Sequence, residues 1–457
     1  MTNPALASTP AQRLLSLDVL RGVTIAFMIM VNNNGGPGAW GFMNHAAWNG
    51  LTPTDLVFPT FVFVVGASVV FAFEARLARG ATRAQLAWHT AQRAAVLFLL
   101  GVLVNGFPFF GLNTVGWAKL GAVLVAPLVI LLPGAALVAW RLRAGTAEAK
   151  AAARSSVWTV AFLAFFVFIL FDVRVTDQRI YGVLQRIAVA YLAVGLFYLW
   201  DKRAWTKAVA LGVALVGYWV LLRWVPVPGA GMPGRDFPFM DQTQNLVSWL
   251  DRLLMPHHLY LDWSGPNLHN VRDPEGLLSD LPAIGTALLG MLTALWLRAQ
   301  RSVPAKALGL ATATLACLGC GYLWSLWFPL NKNLWTSSYV LVAAGWALLV
   351  LTLAYWVVEQ WGWGKGARGK ALVWPWLVLG SNAIVAYLFS ELVPSVLYNI
   401  NFMDGSKRSN VLSWVFNHVF AHIPNPGWAA FAYSVFTLAY CFIPVWVLYR
   451  KKIFVKV

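Results

Sequence analysis

The sequence predicts an all-α polytopic membrane protein of about twelve transmembrane helices with both termini cytoplasmic. Three observations lead there. Of 457 residues, 59% are hydrophobic and only 11% charged, too little polar surface for a soluble chain of this length. The apolar residues fall in blocks of about 20, the length at which a helix crosses the roughly 30 Å hydrocarbon core. No ten-residue alternation of apolar and polar side chains marks a β-barrel, so helices must satisfy the backbone inside the bilayer.

The expected spans run over about 18–34, 55–74, 94–112, 117–140, 155–172, 183–200, 208–224, 282–297, 307–328, 338–358, 372–400 and 429–449. An even number of spans puts both termini on one side, and charge chooses the side. The N-terminal tail with the first turn of the first span (Arg13 and Arg21), the linkers after each even-numbered span up to the tenth and the C-terminal tail hold 23 of the 34 Lys and Arg, which marks them as cytoplasmic. The net charge of +17 therefore reads as topology, not as a nucleic-acid-binding face. Cys317, Cys320 and Cys441 lie in apolar blocks; Cys317 and Cys320 form a CxxC, but within a helix and with no further Cys or His at metal spacing, so no metal is expected. The start of the chain shows no cleavable signal. The absence of large extramembrane domains suggests a bacterial inner (cytoplasmic) membrane.

Polar residues concentrate where loops leave the bilayer on the opposite, periplasmic side. Asn32, Asn33 and Asn34 close the first span. His45, Trp48 and Asn49 follow in "MNHAAWNGLTPTDLVFPTFVF". Asp55 opens the second span behind "TPTD", where a Thr caps and Pro53 fixes the entry. Histidine is the side chain best suited to move a proton near neutral pH, and Asp55 is placed to orient its ring or raise its basicity. The bland alternative is a structural or merely exposed histidine. The 225–281 segment carries Asp273, Glu275 and five further acids among aromatic rings, and is expected to cap the periplasmic mouth. Carboxylates and rings suit a sugar or an amine; a solvated cap is the rival reading. Gln185, Arg186, Asn331, Lys332, Asn382 and Glu391 are polar residues in or beside spans. Burial in lipid is costly for them, so each faces inward, as an interhelical contact or as part of a polar cavity.

In order along the chain, "RLLSLDVLRGVTIAFMIMVNN", "HAAWNGLTPTDLVFPTFVFVVGAS", "GVLQRIAVAYL", "DPEGLLS", "PLNKNLWTSSYV" and "YRKKIF" resemble the heparan-α-glucosaminide N-acetyltransferase family of transmembrane acyltransferases. The resemblance implies a ten-helix core in one transmembrane acyltransferase domain, 1–457. It implies acetyl-CoA as co-substrate and an amino-sugar acceptor across the membrane. It makes His45 the catalytic histidine, with Asn32, or Asn33 or Asn34 within two residues of it, as the functional asparagine. This chain departs from the pattern by a helical hairpin inserted at about 117–172, expected at the periphery or in a homodimer contact. The large luminal domain of the lysosomal member is missing.

Together these readings give a transmembrane acetyltransferase surrounded by membrane lipid, with no nucleic-acid partner. Arg13, Arg21, Arg76 and Arg79, with Gln185 and Arg186, are expected to hold the cofactor. His45 acts as general base or acetyl carrier, assisted by Asn32 and Asp55. Trp48, Asn49, Asp273, Glu275, Asn331, Lys332, Asn382 and Glu391 are expected to contact the acceptor. The rival is an inner-membrane transporter of an amino sugar, which acetyl-CoA binding would discriminate.

Overall fold

The computed structural model describes residues 14–107, 128–143, 178–260, 271–363 and 366–455, with isolated positions 160, 164 and 167. Arg13 and most of the expected 117–172 hairpin lie outside the described residues. Helix α1 spans Leu15–Asn32, α2 Val57–Leu77 and α3 Arg83–Gly106. Then come α4 at Leu128–Arg143, α5 at Val183–Trp200, α6 at Ala204–Trp224 and the short α7 at Leu246–Leu254. Helices α8 Asp280–Arg298, α9 Val303–Trp324 and α10 Ser337–Tyr355 follow. The chain closes with α11 Ala367–Ser381, α12 Ala383–Asn399, a small antiparallel hairpin of Asn401–Asp404 with Lys407–Asn410, α13 Val411–Val415 and α14 Pro426–Arg450.

Among the described residues nine helices are long and apolar enough to cross a membrane, and α11 with α12 makes a tenth span bent by 71°. The protein is a helical, multi-pass membrane protein. Local sequence explains the helix ends. Thr82 accepts from the Gln85 amide and receives the Gln85 side chain in return on its own N–H, closing a capping box at α3. The bend at Asn382 follows from its non-helical backbone, φ −131° and ψ 45°.

The bundle has two packed parts. Side chains of α2, α3, α5, α8 and α10 form the larger core, including Phe63, Val194, Met291 and Tyr339. Residues of α1, α11, α12 and α14 form a second, around Ile29, Leu379, Ala386 and Val445. The crossing of α2 and α8 is unusually close. A Cβ on Gly66 would lie 1.8 Å from the Ala287 carbonyl oxygen, and one on Gly290 would lie 1.9 Å from that of Phe63. Small residues that let helix backbones touch are the packing device available where lipid offers no hydrophobic drive. At the other side of α2, α3 ends and α5 begins at the same end of the bundle. The Asn105 amide bridges them, donating to the Arg179 and Tyr181 carbonyls at 3.4 and 3.3 Å. The flanks of the 117–172 insertion therefore meet.

Candidate active site

The loop between α1 and α2 builds its own acid–histidine pair. Residues Pro53–Leu56 form a 3-10 turn entered by a proline and capped by Thr52. Asp55 Oδ2 accepts from the Thr52 amide at 3.0 Å, the Thr52 hydroxyl at 3.0 Å and the Ala46 amide at 3.1 Å. Its other oxygen, Oδ1, lies 2.7 Å from His45 Nδ1. The Asp55 side chain is 1% exposed and that of His45 51%. A buried carboxylate facing Nδ1 selects the tautomer with the proton there, leaving the lone pair on Nε2. The imidazole is thus oriented, with half of its side chain still exposed.

The loop between α9 and α10 brings a cation onto this pair. Gly50 N–H donates to the Leu330 carbonyl at 2.8 Å, and the Asn331 amide donates to Asn49 Oδ1 at 3.1 Å. Lys332 Nζ then lies 3.2 Å from His45 Nε2, 3.1 Å from Nδ1 and 3.9 Å from Asp55 Oδ1. Burial holds the Lys332 ammonium below its usual range, against the opposing pull of Glu275 and Asp55. The loop is strained: Trp335 is fully buried with φ +51°, a conformation costly for a bulky L-residue. It is held there by a hydrogen bond from its indole to Thr286 Oγ1, an edge contact with Phe58 at 5.0 Å and the Arg186 guanidinium 4.7 Å from its ring.

Behind Lys332 is a layer of buried ion pairs. Arg179 binds both Asp273, at 2.8 Å through Nε, and Glu275. Burial would raise Glu275, but the charges of Arg179, Arg186 and Lys332 outweigh it and keep the carboxyl below its ordinary value. Arg186 donates to Asp280 at 3.2 Å, the Gly276 carbonyl at 3.0 Å and the Ser279 hydroxyl, and Tyr181 donates to Asp280. The segment after α6 is fastened to the same loops. Trp48 Nε1–H donates to the Met240 carbonyl at 2.9 Å, and the Arg272 guanidinium covers the Trp48 ring at 4.5 Å.

At the end of α1, Asn32 donates to Glu391 Oε1 at 3.0 Å. Asn33 turns back to the Ile29 carbonyl at 3.0 Å, while Asn34 reaches Asn44 Oδ1 at 2.9 Å, next to His45. Tyr387, one turn before Glu391, lies within electrostatic reach of Glu391, Glu275 and Arg179. Tyr387 also lines a cavity of about 600 Å³ between α1, α2, α3, α5 and α12. Val65, Val69, Ile187 and Ile384 form apolar walls; Arg21, Arg76, Arg79 and Arg93 stand at the end remote from His45. Arg21 donates to Asp18 at 3.1 Å and to the Ser68 hydroxyl at 2.8 Å. Arg76 and Arg79 form no ion pair with any described residue. Among the described residues no group of three metal-ligating side chains occurs.

The structure therefore brings His45, Asp55, Lys332, Asn49 and Asn331 together, with Asp273, Glu275 and Arg186 in the layer behind and Asn32 beside Glu391. Two groups fall elsewhere than expected. Gln185 and Arg186 start α5, at the His45 end, because α5 runs towards the basic linkers. Gln185 donates to the Ile180 carbonyl at 2.7 Å. Asn382 sits at the remote end, its amide donating to the Ile453 carbonyl at 3.1 Å and its oxygen accepting from the Val455 N–H at 2.8 Å. Its amide is spent on the C-terminal segment because α11 breaks there. Sequence reasoning missed Arg179, Arg93 and Tyr387. Arg179 had a signal: it is a cation immediately before "GVLQR", at the end of the bundle where cations are sparse.

Comparison with known proteins places the chain among its relatives. Residues 13–114, which include His45 and Asp55, match the family model described as heparan-alpha-glucosaminide N-acetyltransferase, catalytic. Over 97% of its length the chain is 26% identical to heparan-alpha-glucosaminide N-acetyltransferase of Homo sapiens. Over 99% it is 25% identical to the protein of that name from Mus musculus. The chain spans 60% and 62% of the length of those two relatives. The first two of the six sequence blocks lie within the family model, the alignments to the two relatives run over nearly the whole chain, and the resemblance in both comparisons is to the heparan-alpha-glucosaminide N-acetyltransferase family.

Proposed function

We propose that this protein is a transmembrane acetyltransferase that takes acetyl from acetyl-CoA on the cytoplasmic side and delivers it to the amine of a glucosamine-like sugar on the opposite side. The observation that carries the reading is the cavity lined by four arginines at one end and by apolar side chains along its length, in the same bundle as the Asp55–His45–Lys332 cluster. A transporter needs a polar path, but neither an arginine-lined mouth with apolar walls nor an oriented base.

Arg76, Arg79, Arg93 and Arg21 would hold the CoA phosphates. The pantetheine arm would lie along Val65, Val69, Ile187 and Ile384, with the thioester near Tyr387. His45 Nε2 takes one proton from the protonated amine, and the freed lone pair forms the C–N bond to the thioester carbonyl carbon. Lys332 Nζ, beside Nε2, stabilises the negative charge on the carbonyl oxygen. The C–S bond breaks with its electron pair on sulfur, and the thiolate takes the second nitrogen-bound proton. His45 returns its proton to water. Asp55 holds the ring and favours the imidazolium while the proton is carried. Asn32, Asn33 and Asn34 border the chamber, and Asp273 and Glu275 act through Arg179 as its wall.

Direct attack is the favoured order. A thioester entering from one side and an amine from the other meet at one point, which lowers the entropic barrier. The 117–172 segment is proposed as a peripheral addition, and the 225–281 segment as the cap of the outer mouth. The experiment is rapid mixing with acetyl-CoA alone, followed by mass spectrometry. No acetylated enzyme is expected until an amino sugar is added; a stoichiometric adduct on His45 that glucosamine discharges would replace direct attack by an acetyl-histidine route. Failure of the purified protein to bind acetyl-CoA at all would favour the transporter.

A further inference from the structure

We propose that Glu391 is the binding site for the protonated amine of the acceptor, so that the substrate class is restricted to primary ammonium compounds. This rests on the acetyltransferase reading above.

Glu391 is the middle residue of α12, which with α11 forms the bent pair of apolar helices. Its side chain is only partly exposed, and Oε1 accepts a single hydrogen bond, from the neutral Asn32 amide at 3.0 Å. Among the described residues no Lys, Arg or His stands within 4 Å of it. Of the other carboxylates around the site, Asp273 and Glu275 share Arg179, Asp280 has Arg186, and Asp55 has Lys332 with His45; Asp251, which also lacks a cation, is fully buried and out of a substrate's reach. A carboxylate within a membrane bundle is costly without a partner, and those that persist pair or serve a ligand. Here the neutral amide fixes the direction of one oxygen and leaves charge uncompensated. A ligand that brings a positive charge and N–H donors supplies what is missing; a hydroxyl brings only the donor.

The position suits delivery. Asn32 and Asn34 leave the same helix end, and Asn34 holds Asn44, the neighbour of His45. Tyr387, one turn from Glu391, belongs to the cavity proposed for the thioester arm. An ammonium held at Glu391 therefore lies one helical turn from Tyr387 of the cavity and beside the end of α1 that carries Asn32 and Asn34. The site selects amine over alcohol by charge, before chemistry, which fits a site built to pair a substrate group and left unpaired by the wrong one.

The test uses the full chain in detergent. Binding of glucosamine and of glucose, which carries a hydroxyl at the same carbon, is followed by thermal-shift titration in wild type, Glu391→Gln and Glu391→Asp. Expected is clear preference for glucosamine in wild type. Glu391→Gln should lose about tenfold or more in glucosamine affinity and gain nothing for glucose, Glu391→Asp should fall between, and acetyl-CoA binding should be unchanged in all three. A second readout needs no variant: methylammonium should compete with glucosamine in wild type. Unchanged glucosamine affinity in Glu391→Gln, equal binding of glucosamine and glucose by wild type, or no competition by methylammonium overturns the assignment. The outcomes separate the two claims. Acetylation with an unaltered KM for glucosamine in Glu391→Gln refutes only this site. Glu391-dependent amine binding with no acetylation by wild type refutes only the reaction.

Discussion

Oδ1 of Asp55 stands 2.7 Å from Nδ1 of His45, while Oδ2 of the same carboxylate is saturated by Ala46 and Thr52. The two oxygens are thus not interchangeable. In Asp55→Asn the side-chain oxygen must stay with the three donors at the Oδ2 position, because an NH2 there would face N–H and O–H groups. The NH2 would then point at His45 and force its proton onto Nε2. Loss of acetyl transfer on the order of 100- to 10,000-fold is expected, with normal acetyl-CoA binding. Turnover within a few fold of wild type would show that the carboxylate does not set the tautomer.

Removing the base itself should be as severe. His45→Ala is expected to fold, since the ring is half exposed and packs little, and to lose on the order of 100- to 10,000-fold in rate. Steady-state acetylation of glucosamine by monodisperse variant protein checks this.

Lys332→Met keeps most of the side-chain volume and removes the charge. A fall on the order of 100-fold in kcat is expected, with unchanged affinity for acetyl-CoA, whose phosphates are proposed to bind at the far end of the cavity. A change in acetyl-CoA affinity with unaltered kcat would place Lys332 in donor binding.

Arg76→Ala and Arg79→Ala should each weaken acetyl-CoA about tenfold, more at low salt than at high salt, and leave glucosamine binding alone. Titration of acetyl-CoA at two ionic strengths measures it; affinities equal to wild type would move the phosphates elsewhere.

Asp251, in the segment after α6, gives a pH dependence unrelated to catalysis. It is fully buried, accepts one hydrogen bond from the Leu277 amide at 2.9 Å, and its other oxygen has no partner. Burial pushes its carboxyl up from 3.8 to about 7. The folded chain thus binds a proton that the unfolded chain has lost above pH 4. Stability is full below 3.8, falls as pH rises towards 7 and is level above it, a total of about 4 kcal/mol. The Tm of wild type in detergent should fall between pH 5 and 8, and that of Asp251→Asn should fall less. Parallel profiles would contradict this origin.

Nine of the expected spans meet a long apolar helix among the described residues, because lipid imposes a simple rule: long apolar runs ended by basic linkers; the expected single span at 372–400 is instead two helices bent by 71° at Asn382. The acid–histidine pair was legible too, since Asp55 follows a helix-start signal and lies only ten residues from His45. Long-range partners were not. Nothing local to Arg179 names Asp273 and Glu275 some 94 and 96 positions later, and the two acids read from sequence as free to meet a substrate. Asn382 misled for a related reason. An amide in an apolar span signals a polar partner, but only the break after Ser381 shows that the partner is the C-terminal backbone.

Transfer of acetyl from one compartment to the other is expected to depend on His45 as the base. Sealed proteoliposomes carrying the protein in one sorted orientation, with radiolabelled acetyl-CoA on the face bearing Arg76 and glucosamine only on the face bearing His45, measure it directly. Labelled N-acetylglucosamine should accumulate in the glucosamine compartment with wild type and not with His45→Ala. Product that requires both substrates on the same face, or that forms equally well with His45→Ala, would contradict the account.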